Sequence, residues 1–181
     1  MKRGIKWFFT NYIWNFIQTS IHKYWVMHYL FKYCIKTRDK RFFDLLRRGL
    51  VHDFSKFGNK ESLFFADEIF NLKNLTYGTP EYKASLAKIK PCLDHHYAHN
   101  RHHPEYHPHG YKDMLISDKI EMIADWCAAV RRHVDGNIFK SIEFNQKRFG
   151  YDDDDKKWLI KMAELMTRQS SALWQAALQE P

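Results

Sequence analysis

The sequence predicts an all-α fold, a single-domain helical bundle, on three observations. Only seven glycines and five prolines punctuate the 181 residues. The apolar and polar alternation of half-buried strands is nearly absent, and apolar residues recur instead at steps of three and four, the period of one helix face.

In chain order, helices are predicted over 5–18, 20–36, 39–50, 61–71, 80–100, 112–133, 138–149 and 153–178. Gly110, Gly136 and Gly150 stand where helices should stop, because glycine takes up the left-handed backbone of a helix end at no steric cost. Pro91 should kink or divide the fifth helix and leave His95 to Asn100 on a short helix of their own. The acid run Asp152 to Asp155 reads as the N-terminus of the last helix, where carboxylates cap free amides and complement the dipole. That helix carries Trp158, Leu159, Met162, Leu165, Met166, Leu173 and Trp174 at helical spacing, a core or a homo-oligomer face.

A chain of this length can bury a core without a metal staple, so a metal would be functional rather than structural. Cys34, Cys92 and Cys127 are odd in number, far apart and never in a CxxC pair. This argues against a disulfide framework or cysteine zinc finger, and for a reducing, cytoplasmic location. Met1 to Phe16 is basic and aromatic, but Thr10, Asn11, Asn15 and Gln18 interrupt the apolar run and no small-residue cleavage site follows. It reads as a helix packing its aromatics onto the domain, interfacial membrane contact being its other use. No apolar segment is long enough to be a transmembrane span. The net charge of +8 suits a phosphorylated small molecule or a nucleic acid, and the spread of Lys2, Arg3, Lys6, Lys36, Arg38, Arg47 and Arg48 along the chain favours nucleic acid only weakly.

Seven of the eleven histidines fall between His95 and His109 (HHYAHNRHHPEYHPH), and a His52-Asp53 pair stands about forty residues upstream. Imidazole and carboxylate are the usual ligands of Zn, Mn and Fe, so the pattern reads as a metal site. The middle cluster offers two helical faces: His96, Asn100 and His103, or His95, His99 and His102. His107 and His109, among prolines, are expected to be exposed. Asp125 sits in an amphipathic helix beside Met122, Trp126 and Ala129, where a metal would remove the cost of a buried carboxylate. Asp118, two turns earlier, is either an acid that orients a ligand histidine or an exposed helix acid. Arg131 and Arg132 can reach a substrate phosphate or complement the helix C-terminus.

The segment HDFSK resembles the HDxxK signature of HD-domain phosphohydrolases that hold two or more metals. HDFSKF, HHYAHNRHHPEY and EMIADW together resemble an uncharacterised HD-like family of phages and bacteria, over His22 to about Trp126. The resemblance implies an HD-type bundle with extra N- and C-terminal helices: a metal-site core over about 20–135 and C-terminal helices over 136–181. It implies that His22, His52, Asp53 and Asp125 hold one metal and that Asp53 bridges to a second held by His96, His103 and, secondarily, His102; His99 is not part of the pattern. Lys56 would face the substrate phosphate; Asn100 and, from its place two turns past Asp125, Arg131 are the further candidates to bind substrate. Two bridged cations within about 4 Å acidify a shared water and stabilise phosphoryl oxygens, so Asp53 and Lys56 are the expected catalytic residues. HPHGY only faintly echoes the GYP motif of the cyclic-dinucleotide enzymes, which leaves the substrate open.

The leading expectation is a phosphohydrolase of a nucleotide, dinucleotide or cyclic nucleotide that uses two divalent ions drawn from Mn, Fe, Zn, Co and Ni. One alternative is a basic single-stranded nucleic-acid-binding protein with a structural metal, in which Trp7, Phe8, Phe9, Tyr12 and Trp14 stack on bases. The other is a non-catalytic protein-interaction module, suggested by the 17% aromatic content.

Overall fold

The structure is a computed structural model that describes residues 4–73, 79–132 and 136–172. These residues are helical with no strand among them, as the period of the sequence predicts, and no helix among them is long and apolar enough to cross a membrane. The helices are α1 (Ile5–Trp7), α2 (Trp14–Thr37), α3 (Phe42–Val51), α4 (Asn59–Lys73), α5 (Pro80–His99), α6 (Ile116–Val130), α7 (Ile138–Phe149) and α8 (Asp153–Thr167). A π-helical stretch, Phe8–Ile13, joins α1 to α2, and short 3-10 turns stand at Phe54–Phe57, Pro104–Tyr106 and Gly110–Asp113.

Several boundaries differ from expectation: α3 opens at Phe42 and α6 at Ile116, three and four residues late, and three larger differences have a physical cause. The break near Gln18 does not occur, because the Ser20 hydroxyl donates to the Phe16 carbonyl one turn back and so continues the helix instead of capping a new one. Pro91 does not divide α5; it lies on the exposed side, where water can take the carbonyl that proline leaves without a donor. The last helix ends at Thr167, with Arg168 in the left-handed conformation (φ 69°). Leu173 and Trp174 fall outside the described residues. The expected caps form: Asp152 accepts from the Asp154 and Asp155 amides, Asn137 from those of Phe139 and Lys140, and Gly150 closes α7 at φ 66°.

The chain falls into two compact units, interleaved in sequence. The first comprises residues 1–21 and 53–100. There α4 packs against α5, with Phe65, Ile89 and Cys92 buried between them, and the N-terminal helical stretch is tied to α4 by polar contacts. Trp7 Nε1 donates to Asp67 at 2.6 Å and Asn11 to the Ala66 carbonyl at 3.2 Å.

The second unit comprises residues 22–52 and 101–181 and holds the larger core. Leu30 of α2, Leu45 of α3, Ile120 and Ile123 of α6, Ile138 and Ile142 of α7, and Leu159 and Met166 of α8 are fully buried. α6 is covered on most sides, packing on α3, α7 and α8. The three cysteines are buried and free.

Gly49 lets α3 approach α2 closely. A Cβ there would stand 3.0 Å from Met27 Sδ and 3.3 Å from Met27 Cα. Gly49→Val should therefore lower stability by about 1–3 kcal/mol through overpacking, despite the better helix propensity of valine. A drop in the midpoint of thermal unfolding measures this, and an unchanged midpoint would show that the helices can part without cost.

Candidate metal centre

Each unit builds a buried cluster of imidazoles and carboxylates. In the second unit, α2 supplies His22, the C-terminal end of α3 supplies His52, the turn after α5 supplies His102, and α6 supplies Glu121 and Asp125. The last two are four residues apart and so share one helix face. His22, His52, His102 and Glu121 are all at most 5% exposed.

His22 Nε2 lies 2.8 Å from Asp125 Oδ1, and His52 Nε2 lies 3.8 Å from the same oxygen. On its other side His52 Nδ1 meets Glu121 Oε1 at 2.9 Å, and His102 Nδ1 lies 3.4 Å from that oxygen. One glutamate therefore holds the Nδ1 proton of His52, which fixes the tautomer whose Nε2 lone pair turns toward Asp125. A carboxylate behind an imidazole is the usual support of a metal-ligating histidine. Ligand atoms of His52, His102 and Glu121 lie within 4.8 Å of one another, close enough to hold an ion.

The charge of this cluster is only partly compensated. Arg48 of α3 spans Asp44 (2.9 Å), Asp118 (2.7 Å) and Glu121 (3.2 Å), and Arg101 adds a contact to Asp118 at 3.2 Å. Asp125 has no lysine or arginine partner among the described residues; it faces imidazoles. Burial would push its carboxyl pKa up, but the His22 hydrogen bond and the electrostatic pull of the surrounding imidazoles outweigh that and hold it well below the usual range. Burial likewise opposes ionisation of Glu121, and hydrogen bonds to His102 and His52 more than offset it.

In the first unit the sequence turns sharply at Asp53, which adopts the left-handed conformation (φ 53°) and opens the 3-10 turn that follows. Its Oδ2 accepts from Lys56 Nζ at 2.5 Å, and its Oδ1 lies 3.3 Å from His96 Nε2. His96 Nδ1 is 3.0 Å from Glu61 Oε2, while Glu61 Oε1 takes His95 Nδ1 at 2.7 Å. Burial lowers the His96 pKa, helped by the Lys56 charge and opposed by Glu61, so the ring is neutral at neutral pH. Its Nδ1 proton goes to Glu61 and its Nε2 lone pair faces Asp53, which repeats the Glu121, His52 and Asp125 arrangement. Asn100 completes the cluster by donating to Ser55 Oγ at 2.8 Å and to the His96 carbonyl at 2.7 Å.

The expected residues divide between these clusters: His22, His52, His102 and Asp125 come together in the second unit, and Asp53, Lys56, His96 and Asn100 in the first. His103 is half-buried, its ring 4.1 Å from that of His102. The helical register expected for His96, Asn100 and His103 ends with α5 at His99. Arg131 is not brought to a cluster. Its guanidinium lies 3.6 Å over the Trp25 ring and reaches the Tyr29 hydroxyl at 3.4 Å, because the aromatic face offers a nearer site for the charge.

Two further expectations are corrected. Asp118 is neither an exposed acid nor a support for a ligand histidine; it is fully buried, caps α6 by accepting from the Leu115 amide at 3.0 Å, and binds Arg48 and Arg101. His107 is buried, with Nε2 donating to the Arg101 carbonyl at 2.9 Å. His109 is exposed, as expected.

Sequence reasoning missed Glu121, Glu61 and Arg48. Glu121 had a usable signal, its place one turn before Asp125 in EMIADW. Glu61 had none, since an acid in the first turn of a helix is already explained by the dipole.

Buried imidazole and carboxylate groups in an all-helical chain define a candidate metalloprotein whose donors suit Zn, Mn, Fe, Co or Ni. Residues 13–176 match the family of unknown function DUF5662, and the chain belongs to that family. No curated protein and no solved structure matches it.

Arg48→Met should cost about 3 kcal/mol, because it strands Asp118 and Glu121 in the interior without their cation. Urea unfolding measures the loss, and a cost below about 1 kcal/mol would mean that Arg101 and water compensate.

Proposed function

We propose that the chain is a metal-dependent phosphohydrolase acting on a nucleotide, dinucleotide or cyclic nucleotide. The observation that carries this reading is Asp125, an acid without a lysine or arginine partner among the described residues, which faces two buried histidine nitrogens. Such a carboxylate needs a cation, and histidines supported from behind by a glutamate are built to help supply one. His22, His52 and Asp125 would hold one ion, with Glu121 orienting His52 and His102. Asp53 and His96 would take part in holding a second, with Glu61 orienting His96. The resemblance to HDxxK enzymes favours two ions and adds His103 to the ligands.

When bound, divalent ions supply Lewis acidity toward phosphoryl oxygens and lower the pKa of water. The chain's own residues supply the rest. Lys56, paired with Asp53, is a cation that can turn to a phosphate as charge grows on its oxygens. Asn100 and Ser55 keep His96 in register, and Glu121 and Glu61 hold the Nδ1 protons in place. Three buried free cysteines suit a reducing, cytoplasmic compartment.

Elemental analysis of wild type beside Asp53→Asn tests the reading, asparagine being the replacement that tolerates the left-handed backbone. Two ions per chain in wild type, the second of them reduced in the variant, are expected; a chain that takes up none of Mn, Fe, Zn, Co or Ni overturns it. With bis-p-nitrophenyl phosphate and a nucleotide panel, Lys56→Ala should lower kcat/KM about a hundredfold while leaving metal content unchanged. Glu121→Gln should weaken metal binding about 10- to 100-fold by titration calorimetry. Salt-sensitive binding of single-stranded DNA that survives His52→Ala, in a chain without metal, would favour a nucleic-acid-binding protein instead.

A further inference from the structure

α2 buries one face and leaves the opposite one to solvent. In the second unit Val26, Tyr29, Leu30 and Tyr33 are buried, whereas Tyr24 is 61%, Phe31 48% and Ile35 59% exposed. With the half-buried His28 these residues follow one another at steps of four, three and four, which puts them in a narrow stripe along the helix. Scattered exposed apolar residues are ordinary, but a continuous row of aromatic and β-branched side chains on one helix is not.

The stripe borders a groove of about 590 Å³ lined by His28, Phe31, Lys32, Ile35, Lys36 and Arg168. Its charge is of one sign. No described carboxylate pairs with Lys32, Lys36 or Arg168, and Lys36 Nζ instead donates to the Leu165 carbonyl at 2.7 Å. Burial and the like charges of Lys36 and Arg168 lower the Lys32 pKa. The imbalance extends beyond the groove, since the first 38 residues contain seven lysines and arginines and no aspartate or glutamate.

We propose that this face of α2 lies flat on a membrane surface rich in anionic lipids, with Tyr24, Phe31 and Ile35 entering the headgroup boundary and Lys32, Lys36 and Arg168 meeting lipid phosphates. An apolar stripe flanked by cations is the pattern of an interfacial helix. The other occupants fit less well. A second copy presenting the same face would bring cation against cation, and this helix has no acid to offset them. A nucleic acid would meet the cations but gain little from Ile35, which cannot stack on bases.

The test is co-sedimentation of the full chain with phosphatidylcholine vesicles, with or without about 30% phosphatidylglycerol, in moderate salt. Binding is expected only to the anionic vesicles. It should fall about tenfold or more in Lys32→Glu with Lys36→Glu, and similarly in Phe31→Ser with Ile35→Ser. Circular dichroism should be unchanged in both pairs, and melting should fall by no more than the loss of the Lys36 bond to the Leu165 carbonyl in the glutamate pair. Failure to bind anionic vesicles overturns the proposal. So does binding that the serine pair leaves intact, since charge alone would then explain it. A dimer that the serine pair dissociates, in a chain that ignores vesicles, would make the stripe a contact between copies. Single-stranded DNA binding lost with the glutamate pair, again without vesicle binding, would make it a nucleic-acid face. Metal content measured on the same samples is independent of these outcomes, so this proposal and the phosphohydrolase reading fail separately.

Discussion

An imidazole can offer a lone pair to a cation only while its other nitrogen keeps a proton, and inside a protein something must hold that proton in place. Here two buried glutamates do so, Glu121 behind His52 and Glu61 behind His96. The rest of the local structure follows from the need to keep those glutamates ionised. Arg48 reaches from α3 to Glu121 and Asp118, and Asp118 in turn caps α6 and takes Arg101. Ser55 donates to Glu61, and Asn100 secures Ser55. Neither cluster is a set of ligands alone; in each, hydrogen bonds run from supporting side chains to a glutamate and its histidine, whose other nitrogen faces an aspartate.

α6 shows how the larger core and the chemistry share one element. Ile120, Ile123 and Cys127 belong to the buried apolar cluster, while Glu121 and Asp125 occupy another face one turn apart. Close packing on α3, α7 and α8 fixes the rotation of this helix, and that rotation fixes where both carboxylates point. The polar face could not drift without opening the apolar one.

Much of this was legible in the residues. Helical period alone fixed the fold class, because seven glycines and no alternating runs leave little room for strands. His22, His52, Asp53, His96, His102 and Asp125 could be picked out because HDFSKF, the histidine cluster and EMIADW together resemble an HD-type pattern, which a lone histidine would not. What stayed hidden was hidden for physical reasons. Glu61 meets His95 and His96 through the packing of α4 on α5, a long-range contact without a sequence period. His107 lies between two prolines, yet 3-10 turns on either side fold the loop so that its ring reaches the Arg101 carbonyl. Nothing in the sequence announces that Trp25 lies under Arg131, so a phosphate ligand and a helix C-terminal cation fit it equally well there. Ser20 was read as a break because a serine that bonds backward along a helix looks, in sequence, like one that starts a new helix.

The interleaving of the two units governs how the chain can be made and cut. Its compact parts follow the order first, second, first, second, with the crossings at Ile21-His22, His52-Asp53 and Asn100-Arg101. During synthesis neither unit can close as its first segment emerges, and the second must wait for residues beyond Arg101 to bury Leu30 and Leu45 against α6. Until then the aromatic, acid-free stretch over residues 5–37 lacks most of its packing partners, and chaperone dependence and aggregation are most acute. For the same reason no single truncation yields either unit as a continuous fragment. An isolated unit would require a fused or permuted chain that joins residue 21 to 53, or 52 to 101.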